Sequence, residues 1–230
     1  MASPELKRVL ERYRKLNEQA SQAKSPEEVR AALDGAFGEF PSSDQVKCEP
    51  VTAGGVKAEW IASPDAAAER AILYLHGGGY AAGSIRTHRE LAARLSQASA
   101  ARCLVIDYRL APEHPFPAAV EDAVAAYQWM LAQRVDPGKI AIAGDSAGGG
   151  LTIATMVALR DANAPLPAAG ICISPWVDLE AAGETMVSKA SEDPVVSREI
   201  LLMFTNMYIG DRDPRMPLAA PLHADLHGLP

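Results

Sequence analysis

The sequence has few cysteines and few basic residues, and both shortages exclude classes of protein. Its 230 residues include three cysteines, Cys48, Cys103 and Cys172. An odd number of widely spaced cysteines argues against a disulfide scaffold, so we expect buried thiols. The 22 Lys and Arg residues are outnumbered by 29 Asp and Glu residues, which gives a net charge of −7. Nucleic acids and anionic membranes bind clustered basic side chains, so neither is an expected partner.

Targeting, metal-binding and cofactor motifs are also absent from the sequence. No apolar run approaches the roughly 20 residues of a membrane span, and the amino terminus lacks the apolar segment of a signal peptide. A cytoplasmic location is therefore the expectation. The five histidines do not show the HExxH spacing, and the glycine clusters match neither the P-loop nor the Rossmann fingerprint, so we expect no metal and no cofactor.

A serine within a glycine-rich turn is the chemical centre of the sequence. Ser146 follows the strand-like run 139–143 and precedes the helix-like run 151–160, and its motif reads Gly144-Asp145-Ser146-Ala147-Gly148. A strand that turns sharply into a helix with serine at the apex is a nucleophile elbow. The two glycines allow the chain to approach itself closely at a strained turn. The motif predicts Ser146 as an accessible nucleophile.

A second glycine cluster lies upstream, directly after the apolar run 71–75, and reads His76-Gly77-Gly78-Gly79. Its bare amides are suited to the oxygen that becomes negative in acyl transfer, where each donor lowers the barrier by about 3 to 4 kcal/mol. We predict an oxyanion hole formed by the amides of Gly77, Gly78 and Ala147. The alternatives are a flexible loop or a phosphate cradle, and the GxxxxGK[ST] pattern of the latter is absent.

The two motifs and the run between them resemble one enzyme family. Residues 107–119 read DYRLAPEHPFPAA, and the three stretches together resemble the bacterial hormone-sensitive-lipase-like esterases, a family of α/β hydrolases, from about residue 71 to the end. The resemblance implies a carboxylic-ester hydrolase with a Ser, Asp and His triad, a small-molecule ester substrate and a helical cap over the pocket. It also implies that Tyr80 and Trp176 line the pocket and that the full-length protein forms a homodimer.

Hydrophobic periodicity predicts a single α/β domain, in keeping with a hydrophobic content of 48%. We expect a doubly wound, mostly parallel sheet that opens with a hairpin, with helices between the later strands. The predicted strands cover 45–51, 55–63, 71–75, 102–107, 139–143 and 168–174. The predicted domains are a helical cap segment over 1–44 and an incomplete α/β-hydrolase core over 45–230, with the cap returning at about 180–212.

Other polar residues near the motifs have simpler interpretations. Arg109 is expected to form a salt bridge with Glu121 or Asp122, since acidic residues favour the first turn of a helix. His114 lies in a proline-rich loop and is expected to stabilise a turn. His76 precedes the nucleophile, whereas the order in this fold is Ser, acid, His, so we expect it to brace the oxyanion loop.

The acid and base that a serine nucleophile requires are not evident in the sequence. No strand-like run follows Ser174, and the residues from 214 onward are broken by prolines, so the sequence resembles a carboxyl-truncated esterase. The substitutes that remain open are Asp193, Asp211, Asp213 or Asp225 as the acid and His223 or His227 as the base. The functional alternatives are an inactive truncated remnant and a ligand-binding α/β-hydrolase-like protein.

Overall fold

The computed structural model of the chain describes residues 3–23, 25–38, 46–193 and 195–230. It begins with two helices, α1 (Pro4–Gln22) and α2 (Pro26–Phe37). Ser25 caps α2, since its hydroxyl accepts a hydrogen bond from the Glu28 amide at 3.3 Å. Both predicted helices are therefore present. The predicted boundary between residues 44 and 45 lies within 39–45, outside the described residues.

Six strands form one mixed sheet in the order β1-β2-β4-β3-β5-β6. The first two neighbouring pairs in this order are antiparallel, and the pairing of β1 with β2 confirms the predicted hairpin. The remaining three pairs are parallel. The strands are β1 (Lys47–Ala53), β2 (Val56–Ala62), β3 (Ala67–Leu75), β4 (Ala101–Asp107), β5 (Ile140–Asp145) and β6 (Ala169–Ile173).

Helices cover both faces of the sheet, as doubly wound packing requires. The helices that follow β2 are α3 (Ile85–Ser99), α4 (Ala118–Ala132), α5 (Ala147–Asp161), α6 (Thr185–Ser188) and α7 (Arg198–Ile209), with 3₁₀ turns at Pro137–Lys139 and Pro221–His223. Leu73 and Leu104 pack in the core that contains α4 and α5, whereas Ile72 and Cys103 pack with α3. Alternate residues of a strand thus pack in two hydrophobic cores, one on each face of the sheet. This arrangement confirms the α/β-hydrolase fold.

The two outer strands explain where the cysteine prediction fails. Cys103 in the central strand β4 is buried, but Cys48 in the outer strand β1 is exposed and Cys172 in β6 is half-buried. Along β6, Ile171 and Ile173 are also 42% and 39% exposed. Burial of these thiols was expected from apolar neighbours in sequence, and an outer strand has fewer packing partners than a central one. After Ile173, residues 174–193 and 195–230 form helices and turns only.

Arg109 forms the predicted salt bridges with residues at the start of α4. The Arg109 guanidinium bonds Asp122 at 2.9 Å and Glu121 at 2.8 Å, and the backbone amide of Arg109 also donates to Asp122. These contacts hold the loop after β4 against the start of α4. Of the helices in the described residues, none combines the length and hydropathy needed to cross a bilayer.

Candidate active site

Ser146 lies at the apex of a strained turn between β5 and α5. Its φ of 52° and ψ of −120° are unusual for a residue with a side chain. The turn is possible because Gly144 and Gly148 pack against β3, where a Cβ on either residue would overlap the Leu75 carbonyl oxygen. The Ser146 amide donates to Ile173 at 3.0 Å, so the turn is also tied to β6. The side chain is partly exposed at the carboxyl edge of the sheet.

The glycine cluster lies beside this turn because its strand, β3, is the neighbour of β5. Leu75 at the end of β3 is paired with Gly144, so the next residues, beginning with His76, pass close to the elbow. Gly78 and Gly79 have φ values of 122° and 63°, which few residues other than glycine adopt. The structure thus brings together the two motifs that the sequence singled out.

His76 is buried behind the glycine cluster. Its ring stacks on Tyr108 with 4.2 Å between centroids, and its Nδ1 lies 2.8 Å from the Gly77 carbonyl oxygen. Burial, together with the neighbouring His88, lowers the pKa of His76 to about 4, so the ring is neutral near pH 7. A neutral, enclosed imidazole at this position supports the loop and is not placed to attack a substrate.

The Gly77 amide donates to the Asp145 carboxylate at 3.0 Å. It is therefore engaged within the protein, and its predicted role as an oxyanion donor requires correction. The amides of Gly78, Gly79 and Ala147 have no hydrogen-bond partner among the described residues. Ala147 is also the first residue of α5, where the helix dipole favours negative charge. The amides available to an oxyanion are therefore those of Gly78, Gly79 and Ala147, and Gly79 takes the place predicted for Gly77.

Asp145, the residue before the nucleophile, contacts two further side chains besides the Gly77 amide. Its Oδ1 also accepts a hydrogen bond from the Tyr74 hydroxyl at 2.8 Å and lies 3.2 Å from Nε2 of His88. Burial alone would raise the pKa of Asp145, but His88, Tyr74 and the Gly77 amide outweigh burial and lower the pKa. Sequence reasoning missed His88, whose only signal was its position in the helix after the glycine cluster.

Tyr80 and Trp176, which were expected to line the pocket, are both buried. Tyr80 is fully enclosed and stacks on Tyr208 of α7 with 3.8 Å between ring centroids. Trp176 is 8% exposed, lies 5.9 Å from Tyr80 and donates from its indole nitrogen to the Asp178 carbonyl at 2.8 Å. These aromatic side chains pack α7 against the segments on either side of the elbow, and no motif in the sequence indicated Tyr208 as the partner.

The substitute acids and bases, Asp211 among them, make no hydrogen bond to the Ser146 hydroxyl in the described residues. Asp193, Asp213 and Asp225 accept hydrogen bonds from backbone amides two or three residues further along their own turns. Nε2 of His223 lies 3.7 Å from Glu180, and the contact made by His227 is through its backbone. Among the described residues, no imidazole or carboxylate hydrogen-bonds to the Ser146 hydroxyl.

One group of side chains has the composition of a metal site. Ligand atoms of Asp178, Glu180 and His223 lie within 4.8 Å of one another. Arg215 already pairs with Glu180 at 2.8 Å, and Asp178 accepts the amides of Glu180 and Ala182 at 2.9 and 2.8 Å. Internal contacts therefore account for this group without an ion.

A family model described as the alpha/beta hydrolase fold matches residues 72–230. The chain belongs to the α/β-hydrolase family. An acetyl-hydrolase of Streptomyces hygroscopicus is 45% identical over 230 residues, which are 100% of this chain and 76% of the relative. An esterase of Acinetobacter venetianus is 34% identical over 207 residues, which are 90% of this chain and 68% of the relative.

A comparison with solved structures indicates which group of α/β hydrolases this chain resembles. An esterase from the bacterial hormone-sensitive lipase family superposes with a TM-score of 0.96 at 48% identity. The superposition covers 100% of this chain and 77% of that esterase. The chain is thus an esterase-like α/β hydrolase of the bacterial hormone-sensitive-lipase type.

Proposed function

We propose that this α/β hydrolase cleaves short-chain carboxylic esters through an acyl-enzyme on Ser146. The observation that carries the proposal is the meeting of a serine at a positive-φ elbow with three amides that have no partner among the described residues. The names of the relatives, acetyl-hydrolase and esterase, support a small acyl group and an ester substrate.

The proposed reaction begins when Oγ of Ser146 attacks the acyl carbon and its proton passes to a general base. The carbonyl oxygen becomes negative and accepts hydrogen bonds from the amides of Gly78, Gly79 and Ala147, each contributing about 3 to 4 kcal/mol. Collapse of this intermediate expels the alcohol, which takes the proton from the base. Water activated by the same base then releases the carboxylic acid and restores the serine.

We infer that the base and its orienting acid are supplied from outside the 230 residues. Support comes from the lack of any imidazole contact to Ser146 among the described residues and from the greater length of the relatives, of which the chain covers 76% in the acetyl-hydrolase. The 230-residue chain alone should then be nearly inactive, because loss of the base lowers the rate by about 10⁶. Turnover that is abolished by changing His223 or His227 would reverse this inference.

The test of the function is hydrolysis of p-nitrophenyl acetate and butyrate by protein expressed from the complete gene. Ser146→Ala should lower kcat by about 10⁶, because the nucleophile is removed. Ser99→Ala, a change at an exposed serine near the end of α3, is the matched control and should retain the full rate. If Ser146→Ala hydrolyses both esters at the wild-type rate, the proposal is wrong. Ligand binding without any turnover would instead favour a ligand-binding protein.

A homodimer of the complete protein and a cytoplasmic location stay predictions. Light scattering after size-exclusion chromatography tests the first, and cell fractionation tests the second.

A further inference from the structure

We propose that the partly buried pair His88 and Asp145 is a positioning device that fixes the oxyanion loop relative to Ser146 through the Gly77 amide. This inference rests on the proposed function. Asp145 is a chain neighbour of the nucleophile, and Gly77 precedes the proposed donors Gly78 and Gly79. A single carboxylate therefore links the two halves of the site.

The link is enclosed on several sides. The side chains of Asp145 and His88 are 27% and 14% exposed. Oδ1 of Asp145 faces the Gly77 amide, the Tyr74 hydroxyl and His88, while a Cβ on Gly77 would overlap Oδ2. Asp145 thus contacts Gly77 through both carboxylate oxygens: Oδ1 accepts from the amide, and Oδ2 lies against the Cα. These two contacts restrict movement of the oxyanion loop.

Contacts on both ring nitrogens fix the orientation of His88. Its Nε2 faces the Asp145 carboxylate, which can only accept a hydrogen bond when ionised. Its Nδ1 lies 2.8 Å from the Thr87 hydroxyl oxygen, whose own proton is donated to the Ser84 carbonyl at 2.9 Å. Both ring nitrogens thus have a hydrogen-bonding partner, and the ring is held between Asp145 and Thr87. The ring of His76 lies 5.6 Å away between centroids.

The pair His88 and Asp145 has a catalytic consequence. A hydrogen bond to an ionised carboxylate is about twice as strong as one to a neutral acceptor, so Asp145, oriented by His88, holds the Gly77 amide firmly. Displacing reacting groups by about 1 Å lowers the rate by about 100-fold. Loss of the pair should therefore reduce transition-state stabilisation and leave substrate binding largely intact.

The test compares three conservative variants of the protein expressed from the complete gene. Asp145→Asn and His88→Gln each remove one ionisable group of the pair, and both should lower kcat for p-nitrophenyl butyrate by about 10- to 100-fold, with KM within about threefold. Their affinity for a trifluoromethyl ketone, which mimics the tetrahedral intermediate, should fall by a similar factor. Inhibition by butyrate should not change. Arg94→Gln, which removes an exposed charge from the same helix as His88, is the matched control and should keep kcat within about threefold.

The outcomes separate this inference from the proposed function. If wild-type hydrolysis does not depend on Ser146, the proposed function fails. If it depends on Ser146 while both Asp145→Asn and His88→Gln retain kcat and ketone affinity, only the positioning role is wrong. Circular dichroism reports whether the variants fold. If neither pair variant folds, or if Arg94→Gln loses as much activity as they do, the pair has a general structural role and the inference is also wrong.

Discussion

Arg30 of α2 is the main polar link between the amino-terminal helices and the loops around the site. Its guanidinium donates to the carbonyls of Ala81 and Ala111 at 2.8 Å each and forms two bonds of 2.7 Å with Glu113. Ala81 lies just beyond the glycine cluster, and both alanines are buried, at 5% and 0% exposure. We expect replacement of Arg30 to loosen α2 from the body of the protein and to leave two buried carbonyls without a donor.

The size of the effect follows from these contacts. Each lost carbonyl bond weakens folding by about 1 kcal/mol, and the partly exposed ion pair adds about 0.5 to 1 kcal/mol. Arg30→Ala should therefore lower the free energy of unfolding by about 2 to 3 kcal/mol, or the melting temperature by about 5 to 10 °C. Arg8→Ala is the control, because its ion pair with Glu5 is exposed, and it should melt within about 2 °C of wild type.

The stabilisation contributed by the ion pair between Arg30 and Glu113 should depend on pH. The hydrogen bonds from Arg30 lower the pKa of Glu113 from 4.5 to about 2. The folded state thus prefers the ionised form, so the stabilisation is fully present above about pH 4.5 and is lost as the pH falls through about 2. Since the two side chains are 23% and 40% exposed, screening limits it to about 1 kcal/mol.

Urea unfolding of wild type and Glu113→Gln at several pH values measures this contribution. The variant should be less stable by about 1 kcal/mol at pH 7, and the difference should shrink toward pH 2. A stability difference that is constant across this range would refute the electrostatic reasoning. If Arg30→Ala has the same melting temperature as wild type, the structural reasoning is refuted as well.

Two further substitutions test the packing of α5. Gly148→Ala should destabilise the protein by at least about 1 to 3 kcal/mol in urea unfolding, because its Cβ would overlap the Leu75 carbonyl oxygen. Gly183→Ala, where a Cβ meets nothing within 4 Å, should be nearly neutral, and equal losses in both variants would contradict the steric argument. Arg160→Ala should speed hydrogen exchange in 225–228, since Arg160 bonds two carbonyls there at 2.6 and 2.8 Å, and unchanged exchange would show that this segment is held otherwise.

The strands and the elbow were predictable because parallel strands that are covered on both faces appear in the sequence as continuous apolar runs. The run 139–143 became β5, the run 71–75 became the end of β3, and the turn at Ser146 has the strained geometry that its motif predicts. Local chemistry alone decides these features. A glycine-flanked serine between a strand and a helix has few other conformations available.

The choice of oxyanion donors was not predictable in the same way. Three successive glycines have equivalent backbone amides in sequence, and the engagement of Gly77 depends on Asp145, which is 68 residues distant. The burial of Tyr80 depends on stacking with Tyr208, more than a hundred residues further along the chain. Both features arise from tertiary contacts that neither periodicity nor motif spacing records.

The geometry of the elbow does not depend on the base. A residue in an unfavourable backbone conformation costs about 1 to 3 kcal/mol, and two hydrogen bonds that contribute about 1 kcal/mol each offset much of this at Ser146. Its amide donates to Ile173 at 3.0 Å and its carbonyl accepts from the Trp176 amide at 2.8 Å. Because both partners belong to β6 and the segment after it, the described sheet by itself holds the nucleophile in place. A change of the base should therefore alter proton transfer and leave the position of Ser146 unchanged.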